Sequence, residues 1–289
     1  MSNEKNVRKS LLRKHAQTKS VLIHPEYLSE SYVPSNLLFR EDEIAKIFEN
    51  VGPFLAHSIT LNLFIHGPPG VGKTAAARLV ERTYNRVATT QNIPSRAIYV
   101  SAKDKTYRYT LIDLATALSA EKRGPAISEV YDSIVDAIKR RDIRYLIIVD
   151  EIDKMKTYSG VNPIDDLAYG LSRLNESVGR PAVNLILITN QWRIMREQLS
   201  APSLSSLTPI PIHFRPYMSH ELFKILEDRV KSAFLPGTVD EGAIALLADL
   251  IQRESRDLHW AFLVLRNASR FLENGKVTED SIWKAIEEV

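Results

Sequence analysis

Hydrophobic and polar positions follow two alternating periods between residues 61 and 214. Short apolar runs rich in β-branched residues predict strands, and apolar residues spaced three and four apart predict the helices between them. The predicted strands cover residues 61–66, 97–100, 145–149, 185–189 and 210–214. The predicted helices cover residues 73–82, 109–118, 128–139 and 165–177. Strands that alternate with helices predict a parallel sheet covered on both faces.

The pattern after Arg215-Pro216 is helical only. Ser219, Thr238 and Thr278 are predicted helix caps, and a further helix is predicted over residues 257–272. The sequence therefore predicts a basic N-terminal arm over residues 1–24, an α/β domain over residues 25–216 and a helical domain over residues 217–289.

Composition places the chain among folded globular proteins, with 44% hydrophobic and 25% charged residues in 289. The absence of cysteine excludes disulfides and zinc sites with thiolate ligands. No apolar run approaches the roughly 20 residues of a membrane helix, and the first residues lack an apolar signal segment. We therefore expect a cytoplasmic protein with no membrane partner.

The formal net charge of +3 is too small for a protein that coats nucleic acid by charge alone. The charge is unevenly placed, because residues 1–24 contain six Lys and Arg against Glu4. That segment carries +5 and leaves −2 for the rest of the chain. Two interpretations stay open: an arm that contacts nucleic acid, and a solvated tail.

One segment carries a specific motif for phosphate binding. Gly67-Pro68-Pro69-Gly70-Val71-Gly72-Lys73-Thr74 fits G-x-x-x-x-G-K-[ST] and lies between a predicted strand and a predicted helix. Backbone N–H groups and the helix N-terminus favour phosphate oxygens there. Lys73 supplies a charge to the β- and γ-phosphates, and the Thr74 hydroxyl is a ligand for Mg²⁺. The alternative, a glycine-rich turn without a ligand, does not explain this strand and helix context.

Two later strands also end in polar residues. Asp150-Glu151 follows the strand at 145–149, and Asn190 follows the strand at 185–189. The carboxyl ends of parallel strands face the ligand crevice of an α/β sheet. We therefore predict that Asp150 binds the Mg²⁺ shell, that Glu151 orients or deprotonates the attacking water, and that Asn190 holds the γ-phosphate or the water. Asp153 is interpreted as a helix cap, with a third catalytic acid as the alternative.

Together these motifs resemble AAA+ ATPases. The resemblance implies an α/β fold in which a P-loop AAA+ domain with a parallel five-stranded sheet is followed by an all-helical lid domain. Further segments are similar to the origin-recognition and cell-division-control replication initiators best known from archaea. These segments are Tyr32-Val33-Pro34 with Phe39-Arg40-Glu41, Tyr99-Val100-Ser101 with Tyr107-Arg108-Tyr109, and residues 212–217. The resemblance covers about residues 30–289 and implies ATP or ADP with Mg²⁺ as ligands.

The same resemblance implies roles for individual residues. The implied nucleotide contacts are Val33, Arg40, Gly67, Pro68, Pro69, Gly70, Val71, Gly72, Lys73, Thr74, Ala75, Tyr217, Arg229 and His259. Catalysis is implied for Glu151, Asn190 and Lys73, and metal binding for Thr74 and Asp150. The inserted helix of the family contacts duplex DNA, so the candidate DNA contacts are Lys103, Lys105, Tyr107 and Arg108. Core packing is the alternative for Tyr107.

The chain departs from the family pattern in three further places. It stops in the lid, where the family normally continues into a winged-helix domain. His259 stands where the family has an Arg that senses the γ-phosphate, with Arg256 expected on the same helix face. Ser203 stands where the family often has the Arg that serves as an arginine finger. Because such a finger accelerates hydrolysis by about three to five decades, we expect nucleotide binding with slow turnover.

Three classes of function remain open from the sequence. The first is a replication initiator that couples slow ATP hydrolysis to DNA or partner binding. The second is a nucleotide-switched regulatory module that occupies an interface of a full-length initiator. The third is an ATP-dependent helper of transposition or integration that acts through a recombination protein. In each class, an oligomer or a mixed complex with other AAA+ proteins is open.

Overall fold

The computed structural model describes residues 20–29, 32–121, 124–157, 160 and 162–289. The chain divides into two compact units. The first unit is residues 33–217, and the second combines the described residues up to 32 with residues 218–289. Within these ranges, no helix combines the length and the apolar character that crossing a membrane requires.

The first unit is built on a five-stranded sheet in which every neighbouring pair is parallel. Its strands are β1 (Leu63–His66), β2 (Ser95–Ser101), β3 (Arg144–Asp150), β4 (Val183–Thr189) and β5 (Ile210–His213). They lie in the order β2-β3-β4-β1-β5. The predicted α/β class and the five predicted strands are confirmed. The β-branched apolar runs of the sequence are long enough to form these buried strands.

Helices cover both faces of the sheet, as the buried side chains of alternate strand residues require. The helices of this unit are α1 (Glu41–His57), α2 (Lys73–Thr90), α3 (Tyr107–Ala117), α4 (Ile127–Arg140), α5 (Pro163–Ser172), α6 (Leu174–Val178), α7 (Ile194–Glu197) and α8 (Ala201–Leu207). Side chains of α1 and α2 pack on one face with Ile65 and Ile148. Side chains of α3, α4 and α5 pack on the other face with Phe64 and Ile147.

The second unit contains four α-helices among the residues described, besides a short 3-10 helix over Pro25–Leu28. They are α9 (Ser219–Ala233), α10 (Glu241–Arg253), α11 (Leu258–Ala268) and α12 (Glu279–Ile286). The helix that was predicted over residues 257–272 ends earlier, at Ala268. It begins after Asp257, which caps it by accepting a hydrogen bond from the Trp260 N–H at 2.8 Å. Thr278 caps α12 as predicted, with its hydroxyl accepting from the Ser281 N–H at 3.3 Å.

A short N-terminal segment, residues 20–28, packs on the second unit; we call it the strap. The N–H groups of Ile23 and His24 both donate to the carbonyl of Ala233, at 2.9 and 3.0 Å. The Leu235 N–H donates to the Val21 carbonyl at 2.9 Å. Residues 25–32 were predicted to belong to the α/β domain, but the described ones group with the lid helices. The Arg229 guanidinium donates to the Tyr27 carbonyl at 3.5 Å and lies 4.4 Å from the centre of the Tyr32 ring. The rest of the predicted arm, residues 1–19, lies outside the described residues.

Candidate nucleotide-binding site

The phosphate loop connects β1 to α2, and two of its glycines are required by close approaches. A Cβ atom on Gly67 would lie 2.2 Å from the Phe214 carbonyl oxygen, so no larger residue fits there. Gly72 has a φ of 92°, in the left-handed region, and its Cβ position lies 3.0 Å from the Tyr217 hydroxyl. The loop is therefore shaped by the end of β5 and the residues that follow it.

Lys73 begins α2 and is buried, with its ammonium group in contact with three acceptors. Its Nζ lies 2.8 Å from the Gly67 carbonyl, 2.7 Å from the Pro68 carbonyl and 2.8 Å from the Asn190 Oδ1 atom. Burial lowers the pKa of Lys73 to about 8, and the neighbouring carboxylates, that of Asp150 first, oppose that shift. The structure thus brings two predicted site residues, Lys73 and Asn190, into direct contact.

Thr74 and Asp150 are also in contact, as the predicted metal site requires. The Thr74 hydroxyl donates to Asp150 Oδ2 at 2.7 Å, and the Tyr99 hydroxyl donates to the same oxygen at 2.8 Å. The Glu151 N–H donates to Asp150 Oδ1 at 2.7 Å. Burial raises the pKa of Asp150, and these three hydrogen bonds oppose the rise. A carboxylate and a hydroxyl at this separation are hard oxygen ligands of the kind that Mg²⁺ prefers.

Glu151 follows β3 with a φ of 57°, an uncommon conformation for a residue with a side chain. One of its carboxylate oxygens lies 2.6 Å from the Lys154 ammonium, and the other accepts from the Ser101 hydroxyl at 3.3 Å. Ser101 ends β2 and pairs in register with Asp150. The carboxylate is therefore held beside the predicted metal ligands by Ser101 at the end of β2 and by Lys154 four residues after the end of β3.

Asp153 does not cap a helix, so the interpretation from the sequence was wrong. It lies within a short 3-10 helix, Ile152–Lys154, in which Glu151 is the N-cap residue without a side-chain bond. Its carboxylate accepts from the backbone N–H and from the side-chain amide of Asn190, each at 3.0 Å. Asp153 therefore fixes the position of Asn190.

Arg40 packs between the phosphate loop and the segment that follows β5. Its side chain is 0% exposed, and its guanidinium donates to the Val71 carbonyl at 2.8 Å and to the Arg215 carbonyl at 2.6 Å. The guanidinium also lies 3.8 Å from the centre of the Tyr217 ring. Arg40 contacts protein backbone here rather than an open surface, because these carbonyls and the ring enclose it. Val33 and Ala75 are partly buried, and their predicted nucleotide contacts stay predictions.

The three predicted lid contacts divide between the two units. Tyr217 belongs to the first unit, one residue before the division. Arg229 is buried in the second unit, 4.4 Å from the centre of the Tyr32 ring and 5.3 Å from that of the Phe262 ring. His259 is exposed on the first turn of α11.

Arg256 does not share the helix face of His259, because α11 begins at Leu258. It pairs instead with Glu254 at 3.4 Å, and its guanidinium lies 5.2 Å from the centre of the Trp260 ring. Because Arg256 and His259 do not share a helix face, the structure does not support the expectation that Arg256 compensates for the histidine at position 259.

The candidate DNA contacts lie at the start of α3 and just before it, in different environments. Lys103 is exposed, whereas Lys105 pairs with Asp113 at 2.5 Å. Arg108 donates to the Pro125 carbonyl at 2.6 Å. The Tyr107 hydroxyl packs against Gly170, where a Cβ would lie 2.6 Å away. Burial raises the pKa of Tyr107 to about 12, which favours the core-packing alternative for this residue.

Tyr99 contacts Asp150 although it is not among the site residues predicted from the sequence. The signal was available, because Ser101 is at the end of the same strand and residues two apart in a strand lie on one face. Arg78 of α2 stacks on the Tyr99 ring, with 3.4 Å between the guanidinium carbon and the ring centre. No sequence pattern predicts this stacking, which holds the Tyr99 hydroxyl in hydrogen-bond contact with Asp150.

Comparison with known families and proteins agrees with this geometry. Residues 59–194 match the AAA domain family, and residues 223–287 match the Cdc6 AAA+ ATPase-type lid domain family. The ORC1-type DNA replication protein of Pyrococcus furiosus is 32% identical over 290 residues, which cover 96% of this chain and 68% of that protein. The ORC1-type DNA replication protein 1 of Aeropyrum pernix is 33% identical over 269 residues, covering 91% of this chain and 67% of that protein.

Solved structures give the same result. The Aeropyrum pernix ORC1 protein in complex with DNA is 32% identical and superposes with a TM-score of 0.83, covering 92% of this chain and 69% of that chain. Cdc6p of Pyrobaculum aerophilum has a TM-score of 0.80 at 19% identity over 93% of this chain and 72% of that one, a likeness of fold alone. With its P-loop AAA+ fold and its lid helices, the chain belongs to the family of ORC1-type DNA replication proteins.

Proposed function

We propose that this protein binds ATP or ADP with Mg²⁺, hydrolyses ATP slowly and associates with duplex DNA as a replication initiator. The observation that carries the proposal is the meeting of Lys73, Thr74, Asp150 and Asn190 at the carboxyl edge of one sheet. Among the three classes left open by the sequence, membership in the ORC1-type family favours the initiator over the regulatory module and the transposition helper.

The phosphates bind to the loop and to Lys73. Backbone N–H groups of residues 70–74 and the N-terminus of α2 supply donors and favourable potential for anions. The three acceptors that now hold the Lys73 ammonium are protein groups, so phosphate oxygens replace at least one of them. Thr74 and Asp150 hold Mg²⁺, which, when bound, neutralises charge on the β- and γ-phosphate oxygens.

Hydrolysis requires a base and a positioned water. Glu151 takes the proton of the water, and its bonds with Lys154 and Ser101 orient the carboxylate for this role. Asn190 lies next to Lys73 and orients the water or the γ-phosphate. We also propose nucleotide contacts for Tyr217, Arg229 and His259, as the family resemblance implies, with His259 at the position that senses the γ-phosphate.

Turnover is slow because two arginine positions of the family carry other residues. Neutral histidine at 259 is a weaker phosphate partner than arginine. Ser203 is buried, and its hydroxyl oxygen lies 3.0 Å from that of Ser200. A serine has no guanidinium group, so it cannot serve as an arginine finger. Without a finger, related enzymes lose about three to five decades in rate.

DNA association rests on the family and on the surface before α3. The related Aeropyrum pernix protein was solved in complex with DNA, and this chain covers 69% of it. Lys103 is an exposed cation just before α3, and Arg108 and the exposed Tyr109 lie in the first turn of α3. A net charge of +3 predicts modest affinity that falls with salt.

The first test measures ADP binding by Lys73→Ala, with Lys139→Ala on the exposed end of α4 as the matched control. We expect Lys73→Ala to weaken binding at least tenfold and the control to bind as the wild type does. If folded Lys73→Ala binds ADP as tightly as the wild type does, the proposed nucleotide site is wrong. ATP turnover is then measured with and without DNA.

The second test is a nuclease footprint on the DNA of the protein's own replicon at about 150 mM salt, where non-specific contacts are screened. A discrete protected site with ATP bound supports the initiator. Nucleotide binding without protection indicates a switch that acts through a protein partner.

A further inference from the structure

The carboxylate of Asp153 makes two hydrogen bonds with one residue, Asn190. It accepts from the Asn190 backbone N–H through Oδ1 and from the Asn190 side-chain Nδ2 through Oδ2, each at 3.0 Å. The two residues meet because β3 and β4 are parallel neighbours whose carboxyl ends lie at the same edge. A carboxylate held at two points fixes both the backbone and the side chain of the residue that it contacts.

These bonds allow the Asn190 amide one orientation. Its Nδ2 must face the carboxylate, because the amide oxygen would meet another acceptor there. Its Oδ1 must then face the Lys73 ammonium, which is a donor only and lies 2.8 Å away. A rotated amide would lose both bonds.

The arrangement links Asp153 to the phosphate site through Asn190. In the bound orientation, Asn190 presents its oxygen to Lys73 and keeps one Nδ2 hydrogen for a phosphate or water oxygen. A neutral amide that rotates freely would spend part of its time with neither group in place. Such misplacement would impair recognition and reaction of the γ-phosphate. Binding of the α- and β-phosphates would be less affected, because they bind to the loop backbone.

We propose that Asp153 is a positioning residue that orients Asn190 for recognition and hydrolysis of the γ-phosphate. The proposal rests on the proposed function, and it adds a residue that neither touches substrate nor binds metal there. It assigns Asp153 to the ATP-specific part of the site and leaves ADP binding to the loop.

The test replaces Asp153 by Asn and by Ser, with Asp142→Asn as the control for removal of one charge. The Asp142 side chain is fully exposed after α4. We expect kcat for ATP to fall by about 10²-fold in both Asp153 variants, with the Kd for ADP within about twofold of the wild type. We also expect the preference for ATPγS over ADP to fall. Thermal unfolding of each variant shows that the protein stays folded.

A double-mutant cycle separates positioning through Asn190 from an independent effect. Asn190→Ala should reduce kcat, and adding Asp153→Asn to it should reduce kcat no further. A full additional loss in the double variant, or an unchanged kcat and ATPγS preference in Asp153→Asn, overturns the proposal. If the wild type binds nucleotide but does not turn over, the ATPγS preference decides. If the wild type binds no nucleotide, the proposed function fails, and the role of Asp153 fails with it.

Discussion

At the residue scale, the ammonium of Lys73 combines burial with contacts to three uncharged oxygens. Burial lowers its pKa to about 8, so a rise in pH removes its charge earlier than at an exposed lysine. Bound phosphates favour the charged form. The affinity for ADP should therefore be constant below about pH 8 and weaken about tenfold per unit above it.

The measurement is the Kd for ADP between pH 6.5 and pH 9.5, in the wild type and in Lys73→Ala. The fall in ADP affinity with rising pH should vanish in Lys73→Ala, because this variant lacks the ammonium group that titrates. The same loss of affinity in both proteins would assign the titration to a group other than Lys73.

Tyr99 is a second residue whose role rests on one atom, because its hydroxyl donates at 2.8 Å to an oxygen of Asp150, the proposed Mg²⁺ ligand. Tyr99→Phe removes the donor and keeps the ring on which Arg78 stacks. Groups that orient metal ligands contribute about 10- to 100-fold to metal affinity. We expect the Mg²⁺ concentration at half-maximal ATP binding to rise by about tenfold.

Tyr84→Phe is the matched control, because it removes a hydroxyl that bonds Ser95 at 2.7 Å on the same unit. It should leave the Mg²⁺ requirement unchanged. Equal Mg²⁺ titrations for Tyr99→Phe and the wild type would show that the phenol does not support the metal site.

At the scale of elements, Arg40 at the N-terminus of α1 joins the phosphate loop to the segment after β5. Arg40→Ala leaves the Val71 and Arg215 carbonyls without these donors in a buried place. We expect a loss of about 3 kcal/mol in the free energy of unfolding and about tenfold weaker ADP binding, because the loop loses its fixed shape.

Chemical unfolding and ADP titration of Arg40→Ala measure both effects. Arg82→Ala is the control, because this arginine also donates to a backbone carbonyl, that of Pro34 at 3.0 Å, but from an exposed position. A variant of Arg40 as stable as the control would show that the buried bonds do not hold the loop.

The elements also show what the sequence predicts and what it leaves open. The five strands and the phosphate loop follow from local patterns, because apolar runs and glycines act over a few residues. Helix α1 is not among the predicted helices, although Ile44, Ile47 and Val51 repeat at helical spacing. The bond between Asp153 and Asn190 joins residues 37 apart, and no local pattern encodes it.

Caps were predicted less well than strands. Ser219 is the first helical residue of α9 rather than its cap, and the Glu221 carboxylate accepts from the Met218 N–H at 2.8 Å. Thr238 bonds the Leu235 carbonyl at 2.7 Å, and α10 begins after Asp240. A cap depends on the exact path of the chain before the helix, which tertiary contacts set.

At the scale of the whole molecule, the strap ties the N-terminal region to the lid helices. Val21 and Leu28 are buried, and each buried aliphatic side chain contributes about 1.5–3 kcal/mol. A chain that starts at Ser29 should therefore lose about 3–6 kcal/mol in the stability of the second unit. A chain that starts at Ser20 keeps the strap and should unfold at the wild-type temperature. Equal melting of the two truncated chains would contradict this role.

The chain that starts at Ser20 also tests the charge at the N-terminus. It lacks six Lys and Arg and one Glu, so its net charge changes from +3 to −2 while the strap stays in place. If the basic arm contacts DNA, affinity falls at low salt and the slope of log K against log salt decreases by up to about 5, because fewer counterions are released. If residues 1–19 are a solvated tail, affinity changes slightly and the slope does not. Fluorescence titration with one duplex between about 50 and 200 mM salt separates the two interpretations, and a slope equal to that of the full chain would exclude the arm as a DNA contact.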